Sequence, residues 1–168
     1  SPLVTEKGLQ LEKWAVEHVT ETKGRHAPLA HMERSHMSAL SDEQFQAVSN
    51  LLQSKDQVVC LRGAAGVGKT TMIKAMQAPL ENGGRKVFYC APTSSAAETL
   101  RQDGINRATT LSNFLQNIAI SNRSDLEQSV FVVDEAGLAS NAQGAQILKL
   151  ADECRARVIF FGDSRQHG

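Results

Sequence analysis

Val58-Val59-Cys60-Leu61-Arg62-Gly63-Ala64-Ala65-Gly66-Val67-Gly68-Lys69-Thr70 runs from an apolar stretch into a glycine-rich turn that ends in a lysine and a hydroxyl. From Gly63 to Thr70 it meets the P-loop pattern at every fixed position. The surroundings matter as much as the match: a strand delivers the chain to the turn, and a helix starting near Lys69 takes it away. Glycines let backbone N–H groups converge on an anion without Cβ obstruction, and a helix N-terminus adds a favourable partial charge. A glycine-rich turn with no ligand is the bland alternative, and it explains neither the lysine nor the hydroxyl. Gly63, Ala64, Ala65, Gly66, Val67, Gly68, Lys69, Thr70 and Thr71 are therefore expected to cradle a nucleoside triphosphate. Lys69 would reach its β- and γ-phosphates, and the Thr70 hydroxyl would ligate Mg²⁺.

Outward from this turn the pattern alternates. A strand over 57–62 leads to a helix over 69–81 that stops at Asn82-Gly83-Gly84; a strand over 86–91 leads through Pro92 to a helix over 95–102 closed by Asp103-Gly104. A short helix follows Thr110 with Leu111, Phe114, Leu115 and Ile118. A strand over 129–133 precedes a helix capped by Ser140 and running to Cys154, and a last strand covers 157–161. Near-continuous apolar strands alternating with helices predict an α/β fold, a parallel sheet covered on both faces. Upstream, Ser41 with Gln44 three residues later is a capping box ahead of Phe45, Val48, Leu51 and Leu52. Residues 1–37 read as an N-terminal helix, with Leu9, Leu11, Trp14, Ala15, Val16 and Val19 amid charges, and a polar, loosely packed linker; residues 38–168 form the domain proper. His18, His26, His31 and His36 match no standard zinc spacing. Trp14 and Tyr89 are expected in the core.

In open α/β sheets ligands sit beyond the carboxyl ends of the strands, and the polar constellations here fall at those ends. Val130-Phe131-Val132-Val133-Asp134-Glu135 is a Walker B pattern, four apolar residues and then two carboxylates. Asp134 would hold Mg²⁺ through water, while Glu135 could orient and deprotonate an attacking water. Gly162-Asp163-Ser164-Arg165-Gln166-His167 follows the last strand; alone it could be an ordinary loop, but Gln166 both donates and accepts and suits sensing a γ-phosphate. Thr93, Ser94 and Thr110 offer hydroxyls that fit two roles, helix caps or phosphate contacts. Arg101 and Arg107 read as parts of a solvated face.

The 18 Lys and Arg balance the 18 Asp and Glu of the 168 residues, so a nucleic-acid surface must be local rather than global. Cys60, Cys90 and Cys154 lack metal-ligand spacing and suit a reducing cytosol. No membrane segment or signal peptide is visible. Ser1-Pro2 opens the chain without a Met and Gly168 closes it just past a strand, which predicts a piece of something longer.

Joined, these motifs resemble the N-terminal motor half of superfamily-one DNA helicases of the RecD-like type. They are more narrowly similar to the helicase region of conjugative relaxases, the TraI/TrwC kind. The resemblance rests on Leu40 to Val48, Gly63 to Thr71, Ala91-Pro92-Thr93-Ser94-Ser95-Ala96-Ala97, Thr109-Thr110-Leu111-Ser112-Asn113-Phe114-Leu115, Asp134-Glu135-Ala136 and Gly162 to His167. It implies a P-loop NTPase of RecA-like fold, truncated after the third helicase motif, with the last strand inserted between the P-loop strand and the Walker B strand. It implies that Gln44 reads adenine, that Lys69, Glu135 and Gln166 are catalytic, that Thr70 and Asp134 hold the metal, and that Thr93, Ser94 and Thr110 touch single-stranded DNA. Many RecD-like helicases carry a histidine where Ser112 stands. Cationic residues from a second RecA-like domain of the parent chain would complete the site, so the isolated piece would bind nucleotide weakly and hydrolyse it slowly. Relaxosome components are further implied partners. A RecD-like repair or recombination helicase and a non-hydrolysing DNA-binding module are the alternatives. Clamp-loader relatives and nucleotide kinases fit less well, lacking the Gly-Asp-x-x-Gln-His element and the second Walker B carboxylate respectively.

Overall fold

Alternation along the strands decides the layering. The computed structural model describes residues 6–63, 67–134 and 142–163. Among them, β1 (Val58–Gly63), β2 (Val87–Ala91), β3 (Thr109–Thr110), β4 (Val130–Asp134) and β5 (Arg157–Asp163) form one parallel sheet in the order β1-β5-β4-β2-β3. Val130 and Val132 join Ile159 and Phe161 in one core layer, while Phe131 and Val133 join Val158 and Phe160 in the other. Successive side chains point to opposite faces, so a strand that is apolar at every position must be covered twice.

Helices α2 (Asp42–Gln53), α3 (Val67–Asn82) and α4 (Ser94–Gln102) cover the first face through Leu51, Leu52, Ile73, Met76, Ala97 and Leu100. The second face is covered by α1 (Glu6–Glu21), by α5 (Leu111–Asn113) and α6 (Ala119–Ser121) flanking a π-helical turn at Phe114–Ile118, and by α7 (Ala142–Cys154). Phe114 sits there against Phe88 and Phe131, with ring centroids 5.6 and 5.0 Å away. Burial pushes the Cys90 thiol well above its ordinary range, in keeping with an inert core residue.

β5 lies between β1 and β4, the insertion that the resemblance implies. The strands expected over 57–62, 86–91, 129–133 and 157–161 are present with ends moved by one or two residues, the ordinary scatter of element boundaries. The Ser41–Gln44 capping box forms in both directions: Gln44 N donates to Ser41 Oγ at 3.1 Å and Ser41 N to Gln44 Oε1 at 2.9 Å. α3 begins at Val67 rather than near Lys69. The Ser140 cap lies outside the described residues. β3 had no counterpart in the sequence reading, because two threonines are too few to carry a strand pattern; they pair with Cys90 and Ala91 of β2.

The stretch over 20–37 is a correction. It is not a loose arm. Leu29 and Met32 are buried in the first core layer, and the backbone is tied down by Leu29 N to Leu52 O at 2.7 Å and His26 N to Lys55 O at 2.8 Å. Arg157 explains the docking. Only 2% exposed, its guanidinium donates to Ala27 O at 2.6 Å, Ser54 O at 2.8 Å and Asp56 O at 2.7 Å. Burial, and after it the nearby Arg85, pull its pKa down to about 10, still high enough to keep the charge at neutral pH. A polar composition hid this because the anchors are carbonyls, which every residue has. Trp14, expected in the core, is half-buried: it stacks on His18 at 4.6 Å, with Lys149 Nζ 4.5 Å from its ring centroid. Tyr89 is buried as expected. No helix among the described residues is long and apolar enough to cross a membrane.

Arg157→Met keeps apolar bulk but strips charged donors from three carbonyls. It is expected to cost about 3 kcal/mol in denaturant unfolding and to make the segment over 22–30 the first site of proteolytic cleavage. Unchanged stability and cleavage would show that the guanidinium does not hold the arm.

Candidate functional site

The register brings the charged ends together. Asp134 pairs with Phe161, which pairs with Leu61, so the carboxylate emerges beside the strand end where β1 finishes at Gly63. One strand separates β1 from β4, a span of about 10 Å at ordinary strand spacing, and the long stem of Lys69 closes it. From the first turn of α3, Lys69 Nζ donates to Asp134 Oδ1 at 2.6 Å. Asp134 is buried and Lys69 half-buried, so the pair is shielded from bulk water. The two charged groups expected from separated motifs thus meet. The third, Gln166, lies outside the described residues, as do Glu135, Ala64, Ala65 and Gly66.

Around this pair is a cavity of about 600 Å³ lined by Lys69, Thr70, Ala96, Thr99, Leu100, Asp103 and Asp134, within the usual range for a small-molecule site. Its donor set is an ammonium, a hydroxyl and carboxylate oxygens. Such hard oxygens fit Mg²⁺, and the ammonium fits phosphate. Gly68 supplies a second indication: a Cβ built on it would come within 2.8 Å of Gln44 Nε2. Gln44, expected to read adenine, therefore lies against the start of α3. Its Oε1 already accepts from Ser41 N, while its Nε2 faces Gly68. Pairing with a base would use the second lone pair of that oxygen together with the amide donors.

Thr93, Ser94 and Thr110 are not among the described residues that line the cavity. Thr93 caps α4, its Oγ1 accepting from Ala96 N at 3.1 Å, and Thr110 caps α5 by accepting from Asn113 N at 3.1 Å. Of the two roles open to them, capping is the one formed here. Thr110 nevertheless pairs with Ala91 at the end of β2, which sets the two threonine motifs side by side along the carboxyl edge of the sheet. Ser94 and Ser112 are exposed. Arg101 departs from the solvated-face reading: it bonds Glu98 and donates to Ala108 O at 2.8 Å, bracing the turn after α4.

Asp103 was missed. Its Oδ2 accepts from Thr70 Oγ1 at 3.4 Å. The signal was present as the spacing of Ala96, Thr99, Leu100 and Asp103, one face of a helix, but nothing in the sequence said what that face would meet.

The family described as AAA domain matches residues 39–168. The probable conjugal transfer protein TraA of Sinorhizobium fredii is 33% identical over 132 residues, which are 79% of this chain and 12% of that protein. The multifunctional conjugation protein TraI of Escherichia coli K12 is 30% identical over 175 residues, 98% of this chain and 10% of its own length. The ATP-dependent RecD2 DNA helicase of Deinococcus radiodurans is 30% identical over 131 residues, 76% of this chain and 18% of its own length. The chain thus spans between about a tenth and a fifth of the length of these relatives.

Gly68→Ala offers a test of the Gln44 contact. The new methyl displaces a flexible amide rather than backbone, and alanine is the better helix former by about 1 kcal/mol. Overall stability is expected to change by less than about 1 kcal/mol in urea unfolding, while the Ser41 N–H, measured by hydrogen exchange, loses protection. Retained protection would place Gln44 elsewhere.

Proposed function

We propose, for a chain that belongs to the AAA-domain family as a RecD-like helicase motor domain related to those of conjugative relaxases, that it binds ATP with Mg²⁺ and couples hydrolysis to translocation along single-stranded DNA during conjugative plasmid transfer. The observation that carries this is the Lys69–Asp134 contact at the mouth of the sheet. A lysine from the first motif and a carboxylate from the second converge at one mouth, where a single phosphate–metal ligand would engage both, and this supports the reading.

Bound Mg²⁺ supplies charge neutralisation for the phosphates. The residues of the chain divide the rest of the task. Lys69 gives its ammonium to phosphate oxygens, and Asp134 and Thr70 turn oxygens towards the metal. Glu135 orients and deprotonates the attacking water, and Gln166 reports the γ-phosphate to the DNA side through β5. Gln44 selects the base. Thr93, Ser94 and Thr110 hold DNA phosphates from the edge where β2 and β3 end.

Similarity to TraI over 98% of the chain, against 76% for RecD2, favours the conjugative branch over repair. A second RecA-like domain would add cationic fingers, of the kind that raise turnover by about 10³–10⁵ in GTPases, and relaxosome components are the proposed outer partners.

Titrating the 168-residue chain with Mg·ATP is expected to give saturable binding, with turnover that stays slow even with single-stranded DNA. Lys69→Ala is expected to weaken binding about ten- to a hundredfold, the scale of losing a charge-assisted contact to phosphate. Equal binding by Lys69→Ala would overturn the assignment. Fast DNA-stimulated turnover by this chain would remove the need for a second domain.

A further inference from the structure

Asp103 is held in place by features that do not need its carboxylate. It caps α4 through its backbone N–H, which donates to Thr99 O and Arg101 O. Gly104 takes φ +102, a left-handed turn suited to glycine. Ile105 N then donates to Leu100 O at 2.9 Å, and the Ile105 side chain is fully buried. Backbone and core therefore fix the residue, and the carboxylate is left on the cavity wall, facing Thr70 on α3 and sharing the cavity with Lys69 and Asp134.

We propose that Asp103 is a positioning residue for the divalent cation, acting through the Thr70 hydroxyl. This deepens the ATP reading above and rests on it. A threonine oxygen that ligates a cation must turn its lone pairs to the metal, and its proton then needs an acceptor on the far side. Asp103 supplies that acceptor. The 3.4 Å separation is long for a hydroxyl donor, and a cation drawing electron density from Thr70 makes the O–H a stronger donor, which shortens the contact. Asp103 also puts a second carboxylate in the cavity that Asp134 lines, where Lys69 is the one cation among the described lining residues and the Lys74 ammonium lies outside, against Gly104. Two carboxylates repel a bare triphosphate and attract a divalent ion. The residue therefore acts with opposite sign on the two ligand forms: it disfavours nucleotide alone and favours nucleotide with metal.

That sign reversal separates the idea from a structural role. Binding of a fluorescent ATP analogue to the chain is measured in EDTA and across a Mg²⁺ titration, for wild type and Asp103→Asn. The substitution keeps size and leaves the backbone cap alone, so the thermal unfolding midpoint is expected to stay unchanged. In Asp103→Asn the Mg²⁺ midpoint is expected to rise about tenfold, while affinity in EDTA stays equal or tightens. An unchanged Mg²⁺ midpoint, or a fall in affinity by the same factor with and without metal, overturns the role of Asp103 and leaves the ATP site standing. A wild-type chain that binds the analogue in neither condition overturns the ATP reading itself, and this inference with it.

Discussion

Lys69 reaches Asp134 because β5 sits between β1 and β4 and holds them one strand apart. The parallel pairing fixes more than distance. Register runs unbroken from Leu61 through Phe161 to Asp134, so the strands end together and their polar tips share one mouth. The apolar runs in β4 and β5 thus serve the site as well as the core: Val132 and Ile159 lock the register by burial on one face, Phe131 and Phe160 on the other.

A second consequence concerns α4. Its nine residues span about 13 Å, with Thr93 capping one end and Asp103 closing the other against Thr70. One rigid element therefore has one end at the carboxyl edge near β3 and the other in the cavity. Arg157 performs the corresponding structural task at the other end of the sheet, gathering the arm, the end of α2 and the approach to β1 around the guanidinium that β5 supplies.

What could be read from residues alone was whatever repeats or is locally encoded. The apolar runs gave β1, β2, β4 and β5, the Ser41–Gln44 spacing gave the cap of α2, and the glycine-rich turn pointed to the cavity. The insertion of β5 came from family resemblance, since no local pattern records strand order. β3 escaped because its two threonines gain strand geometry only from β2. The packed arm escaped because backbone carbonyls and a distant arginine hold it. Asp103 escaped for a related reason: its neighbour Thr70 is 33 positions away, and contact across the fold leaves no periodic trace. Thr93 and Thr110 remained ambiguous in sequence because capping and phosphate binding ask for the same hydroxyl, and the geometry shows the cap.

Anomalous diffraction from crystals of this chain soaked with Mn²⁺ and a non-hydrolysable ATP analogue decides whether these strand ends form one metal–nucleotide site. A single strong manganese peak is expected within about 2–2.5 Å of Thr70 Oγ1 or of a water held by Asp134, with Lys69 Nζ on a phosphate oxygen. A peak away from the carboxyl ends of β1 and β4, or an analogue bound elsewhere with Lys69 still on Asp134, would contradict a shared site.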